Sequence, residues 1–324
     1  MSMGFQAFLK GTSFDVLNSM SFNFIADIKY VSGNGSTTYS LPGFTLSAAL
    51  MNTYSGQGTS GDSYTVSVSG QTVTWNVKNT SKLIVTATPT AGADSGMYFG
   101  FSMYDYSTNP RTFKIAPDFT PYNLAQVIDI SPAYDQIFQT NIPASVPIMA
   151  FHRATGSTYD HVWWTEINQN GYWTFKFRSN TGLNAMQACR IYIFAKLLIN
   201  TPVWGFFLYK NGSMVWHNNC LPLKMNILNG GTVTSAAQPL AISNGVTSAR
   251  AIQTDPSVPG TYTTWYECAS AGRDSSGNYA ATTLDRYFQN IIPSPSLPPS
   301  WVAGTVGYIE CDIYDAYYRQ ALGV

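Results

Sequence analysis

The sequence predicts an all-β protein made of two β-sandwich-like domains of short antiparallel strands, with minimal helix. Three observations lead there. Apolar residues alternate with polar ones at period two in short runs, the spacing that turns one face of a strand toward a core. Gly, Asn and Pro cluster between these runs, where turns need left-handed or fixed backbone angles. Aromatic residues make up 15% of the chain and charged residues only 10%, against roughly 25% charged in an average soluble domain. The polar surface must then be built mainly from hydroxyls and amides.

Residues 1–115 read as the first sandwich. From Ser63 to Val77, Tyr64, Val66 and Val68 share one face, and Val73, Trp75 and Val77 share a face after a glycine-containing turn. That pattern is a hairpin of half-buried strands. Leu83 to Thr88 continues the alternation, and Met97 to Tyr106 adds an aromatic strand before the break at Asn109-Pro110. Across 116–147, Pro117, Pro121, Pro132, Pro143 and Pro147 interrupt every pattern. Proline has no N–H to give to a ladder, so this stretch is expected to be a Pro-rich linker, or loops with edge strands. Residues 148–324 read as a second β-domain. Its strands are expected at Tyr159–Ile167, Gly171–Arg178, Arg190–Ile199, Val203–Lys210, Ser213–His217, Thr261–Ala269 and Thr305–Tyr314. Helix is confined to a short start at Asn184–Cys189 and a brief segment at Asp315–Leu322. The Pro-rich run at 292–299 should form an extended, polyproline-like arm reaching over the surface or to a neighbour.

The charge balance narrows the function. Seventeen basic residues offset seventeen acidic ones, and no run of Lys or Arg could neutralise a row of phosphates, so no nucleic acid partner is expected. The start of the chain lacks a signal-peptide pattern. The longest apolar stretch, Ile191 to Ile199, is interrupted by Lys196 and is too short to span a bilayer. Synthesis in a cytoplasm without export, and no membrane insertion, are the expectations. Cys189, Cys220, Cys268 and Cys311 form no C-x-x-C pair and read as free thiols. The Asn-x-Ser/Thr sites at Asn34, Asn79 and Asn211 are then chance matches.

A weak repeat links the two halves. Gly4-Phe5-Gln6-Ala7-Phe8-Leu9-Lys10-Gly11-Thr12 aligns without gaps on Gly205-Phe206-Phe207-Leu208-Tyr209-Lys210-Asn211-Gly212-Ser213. Each copy reads as a strand, a glycine turn and a returning strand. A fainter copy begins at Gly100. With the following Phe14-Asp15, and with Trp216 and Leu221-Pro222-Leu223 after the second copy, the pattern resembles short, uncharacterised β-proteins encoded among the tail genes of lambda-like bacteriophages. In those proteins Gly-Phe-x-x-Phe/Tyr opens a β-hairpin. The pattern departs at Trp216 and His217, where the usual acidic residue is absent, and no binding role is carried over to any residue. The resemblance implies a place in a virion, in the tail, at its tip or in a fibre or appendage.

Catalytic constellations are sparse. His152-Arg153 and Tyr159-Asp160-His161, followed by Trp163, Trp164 and Glu166, form the densest polar cluster. In a strand, Asp160 and His161 would point to opposite faces. His152 and His161 could share a metal only across a hairpin, and a third ligand is not evident. The carboxylate pairs Asp129/Asp135 and Asp160/Glu166 have the even spacing that would let a glycosidase place them on one face. No nucleophile elbow, phosphate loop or His-Glu-x-x-His occurs. No catalytic residue, metal site or cofactor is assigned. Trp163, Trp164, Tyr172 and Trp173, set among Asn168, Gln169, Asn170 and Gly171, are the candidate binding residues. Their flat rings suit either saccharide stacking or a core and subunit interface.

The composition points first to a non-enzymatic virion component. It would assemble as a homo-oligomer, with a trimer slightly favoured, and with other phage tail proteins through aromatic and hydroxyl-rich interfaces. A receptor- or carbohydrate-binding tail module that takes host surface polysaccharide is the alternative. A polysaccharide-degrading glycosidase is the second alternative.

Overall fold

The computed structural model describes residues 6–19, 24–41, 43–51, 64–89, 103–105, 112–115, 120–178, 184–210, 212–253, 261–293 and 305–324. Among these the protein is all-β: twenty-one strands accompany two helices, Val16–Ser19 and Asp312–Leu322. The main element is a ten-stranded sheet. Its strands lie in the order Ile25–Thr38, Thr72–Pro89, Phe44–Met51, Thr305–Glu310, Leu240–Ser243, Ile148–Ala154, Cys189–Ala195 and Asn123–Ile130. Tyr64–Ser69 pairs off Thr72–Pro89, and Asn226–Asn229 pairs off Thr305–Glu310. A three-stranded sheet runs Trp163–Gln169, Tyr172–Arg178, Ile137–Pro143. A four-stranded sheet runs Thr232–Ser235, Tyr279–Pro293, Thr261–Arg273, Val246–Gln253. Two small hairpins complete the described set, one of them Phe207–Lys210 with Ser213–His217.

The first hairpin forms as its alternation predicts. Val66 faces Trp75 and Val68 faces Val73 across the turn at Gly70, whose φ of 57° is the left-handed value. The strand expected at Leu83–Thr88 is not separate, however. Thr72–Pro89 is one strand of 18 residues, because its polar middle is held by Ile25–Thr38 along nearly its whole length. An extended polar run read alone looks like a turn; paired along one side, it is strand.

The segment 116–147, expected as a Pro-rich linker or as loops with edge strands, takes the second form. It contains the strands Asn123–Ile130 and Ile137–Pro143, which lie at the ends of the large and three-stranded sheets. An end strand needs only one satisfied ladder side, and the prolines sit where no ladder N–H is missed. Pro121 and Pro132 flank the first strand, and Pro143 closes the second.

Nor does the expected division into 1–115 and 148–324 fall at a break in the core. Leu9, Val16 and Leu17 pack in one cluster with Phe151, Phe194, Trp216 and Tyr314, and the Phe14 ring stacks on Tyr317 at 4.4 Å. Strands between residues 25 and 89 do keep a cluster of their own around Val31, Phe44, Leu46, Leu83 and Val85. Met51 pairs with Thr305, which joins those strands to the rest of the large sheet.

Cys189–Ala195 shows why part of the chain reads as an unbroken apolar run. Its odd residues, Ile191 and Ile193, pack with Trp164, Phe175 and Phe177 of the three-stranded sheet. Its even residues, Tyr192 and Phe194, pack toward Tyr314 of the C-terminal helix. A strand covered on both faces has no polar side to alternate with.

The C-terminal helix begins before the expected Asp315, so the strand before it stops at Glu310 rather than Tyr314. Asp312 and Asp315 lie in its first turn and complement the positive helix end. Gly323, in the left-handed conformation, closes it and gives its N–H to Arg319 O. Asn184–Cys189 forms no helix. The arm at 292–299 lies outside the described residues beyond Pro293, where the strand Tyr279–Pro293 ends. The first repeat begins at Gly4, also outside them. Its described part is a hairpin bridged at Phe8 and Asp15, and like its counterpart it turns at a left-handed glycine, Gly11 here and Gly212 there. The two hairpins adjoin, since Asn218 Nδ2 donates to Phe8 O at 2.7 Å.

Candidate interaction site

The polar cluster around His152 is an internal staple. His152, on Ile148–Ala154, sets Nδ1 2.5 Å from Asp160 Oδ2, and both side chains are fully buried. Asp160 Oδ1 accepts from Ser270 Oγ at 2.8 Å and from the Ala271 N–H at 3.3 Å. His161 turns the other way: its Nδ1 lies 2.8 Å from Asp285 Oδ2. The strand expected to start at Tyr159 begins only at Trp163, because His161 has a left-handed φ of 53° that no strand accepts. The segment therefore ties the large sheet to Thr261–Arg273 and Tyr279–Pro293. Burial alone would lower the His161 pKa, but the hydrogen bond and charge of Asp285, with Asp160, raise it. The two histidines are not joined in one site. Among the described residues no three His, Cys, Asp or Glu converge as a metal site.

The glycosidase pairs are likewise committed to partners. Glu166 Oε2 lies 2.8 Å from Lys82 Nζ, both side chains 3% exposed, and also accepts the Tyr30 hydroxyl. Asp160 is held by His152. Asp129 receives both Nε and Nη2 of Arg190 at 2.7 Å, a bond that holds its carboxyl below the usual range. Asp135 pairs with Arg178 at 3.0 Å. Neither pair faces another carboxylate across an open cleft with both groups unpaired. All four cysteines are buried and free, and burial pushes the Cys220 thiol up to about 12.

The aromatic quartet splits between two faces of the three-stranded sheet. The register sets Trp164 opposite Phe177, Asn168 opposite Trp173, and Gln169 opposite Tyr172, so Trp164 and Trp173 share the face that carries Phe175 and Phe177. Trp164 is 1% exposed and belongs to the core, so of its two expected places it takes the core and is removed from the candidate binding residues. Trp173 is half-buried, and its Nε1 donates to Val146 O at 2.7 Å. Trp163 and Tyr172 point to the opposite face; Trp163 is half-buried, while Tyr172 is 40% exposed beside Gln169. On that face Ile137 and Ile167 are also exposed. Period two sets Trp163 against Trp164 and Tyr172 against Trp173, but only the packing shows which face meets the core.

A second exposed feature lies at residues 200–206, which the sequence presents as the start of a strand. The strand begins only at Phe207, and the preceding residues form a loop with both feet fixed. At one foot Asn219 Nδ2 donates to Asn200 O at 2.9 Å, and Asn200 Nδ2 donates to Gln320 O at 3.0 Å. Thr201 Oγ1 lies 3.4 Å from His217 Nε2. At the other foot the Phe206 N–H meets Asn218 Oδ1 at 3.1 Å, and a Cβ on Gly205 would stand 2.3 Å from that same oxygen. Between the feet, Val203 is 97% and Trp204 86% exposed. The signals that could have marked this loop were Thr201-Pro202 and Gly205, which bracket two residues too few to make a strand.

His217, beneath the loop, is buried and accepts the Asn219 N–H on Nδ1 at 3.2 Å. Burial lowers its pKa to about 4, so the ring is neutral where it props the loop.

Comparison of the chain with protein-family models, with curated proteins and with solved structures finds no match. What can be said of its class therefore rests on its own fold: an all-β protein of several sheets. No described helix is long and apolar enough to cross a membrane.

Proposed function

We propose that the protein is a non-enzymatic structural component of a bacteriophage virion, placed in the tail at its tip or in a fibre or appendage. The observation that carries this reading is how charge and apolar surface are distributed. Several of the few charges pair with one another within the fold, as in the buried Lys82–Glu166 pair and the partly exposed Arg153–Asp315–Arg190 network. Ile137, Ile167, Tyr172, Val203 and Trp204 meanwhile stand exposed on a sheet face and a loop. Surface of that kind is characteristic of a chain that is covered by neighbours in its working state. The location is inferred from the resemblance of the hairpin motif to lambda-like tail-gene products.

The reading requires self-association. Light scattering on the purified chain at low concentration is expected to give a homo-oligomer, with a trimer favoured; a well-behaved monomer would sink it. Mass spectrometry of particles made from the encoding genome should find the chain in the virion.

A second reading, a carbohydrate-binding tail module, draws on Tyr172, which is 40% exposed and stands opposite Gln169 across the strand pair. Stacking on an aromatic ring is worth roughly 1 kcal/mol or more. Tyr172→Ala should then weaken binding to host polysaccharide at least about fivefold, and leave the melting temperature unchanged. Equal binding by both proteins would remove this reading.

A further inference from the structure

We propose that the Val203–Trp204 tip is a peripheral anchor for an anionic bilayer surface. These are the two most exposed large apolar residues among those described, and they do not sit on a slack loop. Asn200, Asn218 and Asn219 hold both feet through side-chain amides, and one of these bonds reaches the C-terminal helix. A tip already fixed in place loses little conformational freedom on docking. Tryptophan, with a large apolar body and a polar N–H edge, suits the headgroup layer of a bilayer.

The surroundings define the charge of the partner. Stretches 6–14, 200–210, 212–219 and 316–323 contain Lys10, Lys210 and Arg319, while the flanking carboxylates are taken up, Asp15 being buried and Asp315 held by Arg153 and Arg190. Lys10 is brought to the loop by its own N–H, which meets Asn219 Oδ1 at 3.2 Å. Arg319 precedes the Gln320 whose carbonyl takes Asn200 Nδ2. Lys10 and Arg319 are exposed. A matching partner is apolar where the tip enters and negative around it.

Area separates the partners that meet this description. Trp204 and Val203 together can bury on the order of 400 Å², about half of the ~800 Å² per side of a stable protein interface. A second copy would not be held by this tip alone. A fluid headgroup layer closes around a convex tip without a matching pocket, and anionic lipid rewards nearby cations. Such contact lies on the membrane and does not cross it. The inference stands apart from the virion reading, since it uses only the loop and its neighbours; an oligomer would add avidity.

Flotation of the purified full chain tests it, using vesicles of phosphatidylcholine alone and vesicles with phosphatidylglycerol added. Binding is expected with phosphatidylglycerol and is expected to weaken as salt rises. Val203→Ser with Trp204→Ser should reduce it about tenfold or more, with an unchanged melting temperature because both side chains are solvent-exposed. Lys10→Gln with Arg319→Gln should reduce it by about fivefold per charge. No flotation of the wild-type chain with phosphatidylglycerol, or flotation that the loop variant leaves intact, overturns the proposal. A loop variant that loses self-association while keeping its vesicle binding also overturns it, and assigns the tip to a second copy.

Discussion

Replacing Lys82 with Ala is expected to cost about 3–5 kcal/mol of folding stability. Lys82 lies on Thr72–Pro89 and Glu166 on Trp163–Gln169, so their 2.8 Å contact joins the strands of the first quarter of the chain to the three-stranded sheet. Lys82 Nζ also reaches Ile148 O at 3.4 Å. With both side chains almost wholly out of water, removing the ammonium leaves the Glu166 carboxylate to the Tyr30 hydroxyl. A buried carboxylate without its cation carries most of its desolvation cost uncompensated. Lys82→Met with Glu166→Leu removes both charges and should recover most of the loss, because the intact pair contributes little net stability beyond what apolar residues of similar size would. Urea unfolding of the three proteins decides the matter. A single variant within 1 kcal/mol of wild type would mean that water reaches the pair, and a double variant no better than the single would mean that charge is not the cause.

Acidification from pH 7 to pH 4 should remove on the order of 3 kcal/mol through His217 alone. Its Nδ1 accepts the Asn219 N–H, so that nitrogen cannot carry a proton while the bond exists. Burial holds the folded-state pKa at about 4, below the ordinary 6.5. The unfolded chain therefore binds a proton that the folded one refuses. Stability from this group is full above about pH 6.5 and is lost as the pH falls toward 4. His161 has the opposite sign: its raised pKa supplies stability in full below the ordinary histidine value, lost as the pH rises through the raised one. Urea unfolding at pH 7 and pH 4 should show a smaller loss for His217→Gln than for wild type. Equal losses would place the acid sensitivity elsewhere. Because the same bond holds Asn219, the protection of the Asn219 amide, measured against its intrinsic exchange rate at each pH, should fall in step with the loss in the wild-type protein.

The two sites differ in how far the sequence could reveal them. Two strands of the three-stranded sheet were legible, since Trp163–Gln169 and Tyr172–Arg178 carry clear signals around the turn at Asn170 and Gly171, both left-handed. Their aromatic residues could be found but not sorted, because alternation says which residues share a face without saying which face meets a core. Residues 203–206 of the loop were read as the start of the strand Val203–Lys210, since Val203-Trp204-Gly205-Phe206 is rich in apolar and aromatic side chains. Nothing local says that its feet are held by Asn218 and Asn219, which come after an intervening hairpin.

By itself the sequence determined the all-β class, the hairpin at Tyr64–Ser69, the C-terminal helix to within a few residues and the scarcity of charge. Each is a short-range property, set by side-chain period, turn chemistry and composition. Tertiary structure alone decided which sheets the edge strands of 116–147 join, that residues 6–19 join the core shared with the C-terminal helix, and that Trp164 is core while Trp204 is surface. It also chose the partners of His152, His161 and Lys82, from eight to more than a hundred residues away in the chain. Those outcomes depend on which surfaces meet, and burial and pairing across such distances follow from the packing of whole sheets, which no window of neighbouring residues contains.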